Sequence, residues 1–185
     1  MADLSDTELL ALFRKEDSKH YAFNLLVRQF QRPLYTSIRR MVTDHDETQD
    51  VLQNTFIKAW NGLDKFREDA KLYSWLYRIA HNECLNHLRS MRRGLFTNDA
   101  SVLDRLTTTM DSSEHFSGDA IQKKLQHAVM KLPDKQRAVF NMKYFEALKY
   151  EEISAITGTS VGALKSSFHI AVKKIEAWLT TDQTK

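Results

Sequence analysis

A chain of 185 residues with 42% hydrophobic side chains has room for one ordinary domain or two small ones, and is too apolar for wholesale disorder. Its 5 glycines and 2 prolines leave long uninterrupted stretches that favour helix over sheet. One cysteine, Cys84, excludes an internal disulfide and a zinc site built from thiolates, as expected of a reducing compartment.

The net charge of +3 argues little by itself, but its distribution is uneven. Segments 23–93 and 119–185 are each net positive, while the N-terminus and 94–118 are net negative. Two basic bodies on an acidic linker suit a polyanion held at two places. In the opening residues acids precede a short apolar run, which is neither a secretory signal nor a membrane span, so a cytoplasmic chain is expected.

In chain order, Ser5 followed by Glu8 forms a capping box ahead of Leu9, Leu10, Leu12 and Phe13. A second helix starts near Lys19 with Ala22, Phe23, Leu26 and Phe30 inward, and Pro33 is expected to interrupt it or to open the next piece. Leu34, Tyr35, Ile38, Met41 and Val42 continue as an amphipathic helix. Asp44 or Asp46 then caps a helix whose core stripe is Leu52, Thr55, Phe56, Ala59 and Leu63. A second face of that helix, Asp50, Gln53, Asn54, Ile57 and Trp60, is polar at one end and aromatic at the other. Such a face suits a protein partner, where aromatic anchors sit beside polar groups, although a buried Trp near a helix end fits the spacing equally well.

A charged segment follows, with Asp64, Lys65, Arg67, Glu68, Asp69 and Lys71 around Phe66. It runs into a helix bearing Tyr73, Trp75, Tyr77, Arg78, His81, Asn82, Asn86, His87, Arg89, Arg92 and Arg93. Rings interleaved with cations are what a single nucleic-acid strand requires, with Tyr73 and Tyr77 on one face. A core role fits Trp75, Leu76 and Ile79 better than the two tyrosines.

The run Asp50-x-x-Gln53-x-x-Phe56-x-x-x-Trp60, with Phe66-Arg67 and Tyr73-x-Trp75-Leu76-Tyr77-Arg78-Ile79-Ala80-x-Asn82, resembles region 2 of bacterial sigma factors. It is most similar to the small extracytoplasmic-function group. Residues 1–93 are therefore expected to form one helical body.

Residues 94–118, rich in Ser, Thr and Asp, have the composition of a flexible linker, in which Val102, Leu103 and Leu106 allow one helical turn. The body at 119–185 begins with a helix carrying Ile121, Leu125, Ala128, Val129 and Leu132, closed by Pro133. A helix after Asp134 carries Val139, Phe140, Met142 and Tyr144. Glu151 to Ile156, the turn Thr157-Gly158-Thr159, and a longer helix capped by Ser160 give helix-turn-helix spacing. Val161, Leu164, Phe168, Ala171 and Ile175 face inward there, and Lys165, Ser166, His169 and Lys173 outward. No acid lies between Glu152 and Glu176. Cations and small donors on such a helix are the ordinary means of reading duplex DNA.

Leu132-Pro133-x-x-Gln136-Arg137-x-Val139-Phe140 and Tyr150-Glu151-Glu152-Ile153-Ser154 resemble region 4 of the same family. The family usually carries arginine where this helix has Ser167, Ile170 and Val172. The resemblance implies an all-α chain of two small helical domains that directs core RNA polymerase to promoters and has no catalytic role. Asp50, Gln53, Asn54, Phe56 and Trp60 would meet the polymerase. The loop Asn61 to Lys71 would take a flipped base of the minus-ten element. Lys65, Phe66, Arg67, Lys71, Tyr73, Trp75, Tyr77 and Arg78 would hold the opened strand, and Asn82, Asn86, Arg89, Arg92 and Arg93 the duplex upstream. Ser160, Lys165, Ser166, Ser167, His169 and Lys173 would meet the minus-thirty-five element. The implied partners are core polymerase, promoter DNA and an anti-sigma factor, membrane-tethered in many of the family, with no cofactor and no small-molecule substrate.

Two other readings are weaker. A free-standing helix-turn-helix regulator leaves the Asp50–Trp60 face without a role. A metalloenzyme built on Asp44, His45, Asp46, Glu47 and Asp50 ignores that acids belong at a helix start. No glycine-rich phosphate loop, HExxH or nucleophile elbow occurs.

Overall fold

Helix boundaries fall where polar caps and left-handed residues place them. A computed structural model describes residues 4–94, 99–112 and 120–182, and every regular element among them is helical. The order is α1 (Asp6–Phe13), α2 (Lys19–Val42), α3 (His45–Gly62), α4 (Leu72–Gly94), α5 (Asp99–Asp111), α6 (Ala120–Met130), α7 (Asp134–Tyr144), α8 (Tyr150–Thr157) and α9 (Val161–Asp182). The Ser5 hydroxyl accepts from Glu8 N at 3.3 Å, and the Glu8 carboxylate takes Ser5 N at 2.8 Å, which completes the capping box. Asp44, and not Asp46, caps α3 by accepting from Glu47 N at 2.9 Å.

Pro33 does not divide α2, which runs unbroken from Lys19 to Val42. Proline forfeits one backbone hydrogen bond, but Pro33 lies on the exposed side, and its own carbonyl accepts from Tyr77 Oη at 3.1 Å. Leu26, Leu34, Ile38 and Val42 on the opposite side are fully buried, each worth about 1.5–3 kcal/mol, and this outweighs the lost bond.

The acidic stretch expected to be an irregular linker contains a 13-residue helix, α5. Val102, Leu106 and Met110 recur every four residues and are all buried. Thr43 Oγ1 donates to the Leu106 carbonyl at 3.0 Å, and Arg105 pairs with Glu47 of α3. The threonines that obscured the pattern turn their hydroxyls onto the helix itself, Thr107 to the Leu103 carbonyl and Thr109 to that of Arg105, both at 2.9 Å.

The two basic bodies pack directly, with α2 and α4 against α7 and α8. Ile38, Met41, Ala80, Cys84, Ala138 and Met142 meet across this seam. Asn141 Nδ2 donates to the Arg40 carbonyl at 3.4 Å, and the Arg40 guanidinium lies 4.8 Å from the Phe145 ring centroid. Burial pushes the Cys84 thiol up to about 12, so it stays protonated and serves as a small packing residue.

Candidate polymerase and promoter surfaces

Three surfaces carry the residues singled out by the sequence. On α3, Asp50, Gln53, Asn54 and Ile57 form one exposed row, and Ile57 is 52% exposed, an unusual position for a large aliphatic. Trp60 does not complete that row. It continues the four-residue spacing of Leu52 and Phe56, which are half-buried like Trp60 itself. Its ring stacks on His20 at 4.9 Å and meets Phe13 and Phe23 edge-on at 5.5 and 5.0 Å. Phe56 meets Phe23 edge-on at 6.4 Å. Both rings therefore tie α3 to α1 and α2, and Ile57 is the apolar member of the exposed row.

The second surface begins at the turn after α3. Asn61, Lys65, Arg67 and Lys71 are exposed, whereas Phe66 is buried against Trp75 at 5.3 Å. A cavity of about 270 Å³ opens here, lined by Lys65, Phe66, Arg67, Asp69, Ser74, Trp75 and Arg78. On the other side of Trp75 a groove of about 540 Å³ is lined by Lys58, Ile79, Asn82, Asn86 and Arg89. Gly62 allows this wall to form, because a Cβ there would stand 3.2 Å from Trp75 Cζ2.

The N-terminal helix and the start of α2 hold the turn in place, a role no local pattern announces. Asp6 accepts from Leu72 N at 2.8 Å, Arg14 pairs with Glu68, and Lys19 Nζ reaches Asp64 at 2.9 Å. The Asp64 carboxylate raises the Lys19 ammonium above its ordinary value. Glu68 itself takes a left-handed φ of 60°, and its side chain is spent on Arg14.

Along α4 the expected residues divide. Arg78, Asn82, Asn86, Arg89 and Arg93 are exposed. Tyr73 is half-buried and Tyr77 buried, with ring centroids 4.2 Å apart, and burial raises both phenols. In this arrangement neither Tyr77 nor Phe66 presents a free ring face. Arg92 is bound by Asp134. Two titratable groups lie at the seam, His81, which the sequence placed on the basic-aromatic helix, and Glu146, which it did not single out. His81 is pushed down to about 4 by burial and, after that, by the charge of Lys135. Burial raises the Glu146 carboxyl, which sits among Ser37, Arg40 and Tyr77 with neither oxygen in a well-formed hydrogen bond.

The third surface is the outer side of α9. Gly158, at φ 70°, ends α8 in the left-handed conformation that glycine adopts without strain. Ser160 accepts from Ala163 N at 3.4 Å and starts α9. Lys165, Ser166, His169 and Lys173 are exposed with Ser160, Ser167 is half-buried, and Ile170 is 45% exposed. Ser166 Oγ donates back to the Gly162 carbonyl at 3.1 Å, leaving its lone pairs outward.

Comparison with known proteins follows the same two bodies. The family model for sigma-70 region 2 matches residues 26–94, and that for sigma-70 region 4 matches 122–175. The RNA polymerase sigma-H factor of Pseudomonas aeruginosa is 33% identical over 187 residues, covering 92% of each chain. The ECF RNA polymerase sigma-E factor of Escherichia coli K12 is 31% identical over 181 residues, covering 94% of this chain and 93% of its own. Among solved structures, CnrH in complex with the cytosolic domain of CnrY aligns with a TM-score of 0.69 at 25% identity, over 96% of this chain and 98% of that one. The Bartonella quintana RpoE, solved with the anti-sigma factor NepR, shares the fold with a TM-score of 0.65 at 22% identity, over 86% of this chain and 98% of that one.

A basic-aromatic helical body followed by a helix-turn-helix body defines a promoter-recognition subunit of bacterial RNA polymerase. The chain belongs to the extracytoplasmic-function sigma factors of the sigma-70 family. Its function is transcription initiation with core polymerase at promoter DNA, and a free-standing regulator is not favoured.

Proposed function

We propose that the exposed α3 row of Asp50, Gln53, Asn54 and Ile57 docks on the clamp helices of the polymerase largest subunit, with Phe56 and Trp60 bracing the row from behind. The cavity at Lys65, Arg67, Trp75 and Arg78 receives one base flipped from the non-template strand. Unstacking costs about a few kcal/mol, which ring contact with Trp75 and the surrounding cations recover. Lys71 and the half-buried Tyr73 hold the strand that follows, with Tyr77 packed behind Tyr73. Asn82, Asn86, Arg89, Arg92 and Arg93 face the duplex upstream, and Ser160, Lys165, Ser166, Ser167, His169 and Lys173 face the minus-thirty-five element. Residues 1–93 and 119–185 act as the two binding bodies, and 94–118 sets their spacing. The chain works without catalysis, in the cytoplasm, where an anti-sigma factor holds it inactive. The apolar linker positions Val102, Leu103 and Leu106 contribute to the chain's own packing.

The observation that carries this reading is Trp75 standing between two cavities whose polar lining is mainly cationic or amide, with one carboxylate in each, beside an α3 row that is exposed among the described residues. The test is run-off transcription with core polymerase on the promoter upstream of the protein's own operon. Asp50→Ala with Gln53→Ala abolishes polymerase-dependent transcripts while leaving the fold intact. Undiminished transcription would remove the polymerase from this face.

A further inference from the structure

A cavity of about 180 Å³ lies where α2 of the first body, α5 of the connection, and α6 and α7 of the second body meet. None of the residues lining it is among those proposed to meet polymerase or DNA. Met110, Val129, Met130 and Phe145 form an apolar wall, the first three of them buried. Thr36, Arg40, Gln126 and Asn141 supply the polar groups. Two of these carry acceptors without a donor. Asn141 is 2% exposed, and its Nδ2 donates to the Arg40 carbonyl at 3.4 Å, while its Oδ1 has no hydrogen-bond partner among the described residues. Gln126 Oε1 is likewise enclosed and unpartnered among them. An enclosed carbonyl oxygen left without a donor is costly, so both call for one. Water suits the cavity poorly, because it needs several polar partners and the methionine and phenylalanine side offers none. The Arg40 guanidinium already lies 4.8 Å from the Phe145 ring centroid and has the Glu146 carboxyl in electrostatic range, so a neutral ligand suits it better than an anion.

We propose that this cavity is a binding site for a neutral one-ring aromatic molecule carrying a hydrogen-bond donor, of the class of the phenols. An apolar cavity of about 150 Å³ takes a benzene ring, so the space here admits a ring with one small polar group. The ring packs against Phe145 and the thioethers of Met110 and Met130, which make favourable sulfur–aromatic contacts. The hydroxyl donates to the Gln126 or Asn141 amide oxygen and accepts from Arg40 or Thr36, so neither of its roles is wasted. Because the walls come from four helices, an occupant adds its binding free energy to their packing.

The experiment uses the full chain, labelled with carbon-13 at its methionine methyls and followed by NMR. It is titrated with phenol and with fluorobenzene, which has nearly the same shape and no donor. Phenol binds at about 1 mM and moves the Met110 and Met130 signals, while that of Met91, on α4 and outside the cavity lining, stays in place. Fluorobenzene binds about tenfold more weakly. Gln126→Leu removes one acceptor and cuts that preference to about threefold. Thr36→Phe fills the cavity from half-buried Thr36 and abolishes binding of both probes. Circular dichroism checks that each variant is folded; if one is not, the methionine pattern and the probe preference of the wild type decide. Unmoved Met110 and Met130 signals overturn the site, and so does an equal shift of Met91, which marks non-specific binding. Equal affinity for the two probes overturns recognition by the amide oxygens, and undiminished binding to folded Thr36→Phe places the ligand elsewhere.

Discussion

The two regions proposed to face DNA are presented in opposite ways. On α9 the outward residues are exposed and make only local contacts, Lys165 over the Tyr150 ring and Ser166 to the Gly162 carbonyl, so the surface is open as folded. On α4 the corresponding residues are entangled with the rest of the molecule: Tyr77 is buried, Arg92 ion-paired and the base cavity walled by α8. The first surface is open as folded, whereas the second is shared with the packing of the two bodies. A long amphipathic helix tolerates change on its outer side, while a surface shared with a seam ties binding to packing.

Four substitutions sharpen that contrast. Arg137→Ala removes the cation enclosed behind Asp134 and should cost about 3 kcal/mol in urea unfolding, the largest effect, because an enclosed charge loses its counterpart. His81 is next. Its folded value of about 4 lies below the ordinary 6.5, so the folded chain binds fewer protons, and stability is lost as pH falls through that interval. Glu146, raised instead, works in the opposite direction on acidification. The part due to His81 is the difference between wild type and His81→Gln in thermal melts, on the order of 2 kcal/mol near pH 5.

Gly158→Ala forces an alanine into a left-handed turn with no neighbour within 4 Å to compensate, and should cost about 1 kcal/mol by urea titration. Smallest is Lys165→Ala on the free surface. It should leave stability within about 0.5 kcal/mol of wild type, yet lower the salt slope of minus-thirty-five binding in the polymerase complex by about one. A large stability loss there would erase the distinction between the two regions.

Local chemistry in the sequence was readable wherever its partner lies within a turn. Ser5 with Glu8, Asp44 with Glu47, Gly158 and Ser160 all act within three or four residues, and the inward stripe of α9 follows from its period. The exposed Asp50, Gln53, Asn54 and Ile57 row was legible for the same reason. Trp60 was not, because it lies three residues from Ile57 and four from Phe56, and only the aromatic cluster on α1 and α2 decides between those faces. The holding of Asp64 and Glu68 by Lys19 and Arg14 spans 45 and 54 residues, beyond any local pattern. The same is true of Asp134: its place before a helix reads as capping, and its grip on Arg92 depends on how the two bodies meet.

The helix inside the acidic connection also sets how far the bodies can travel. Wound as α5, its 13 residues span about 20 Å. Fully drawn out, the same residues reach about 45 Å. What fastens it includes Val102, Leu106 and Met110, a threonine bond, the Arg105–Glu47 pair and a His127–Asp111 contact at 2.7 Å. α5 is thus a store of slack: unwinding it would lengthen the connection by about 25 Å without breaking the chain.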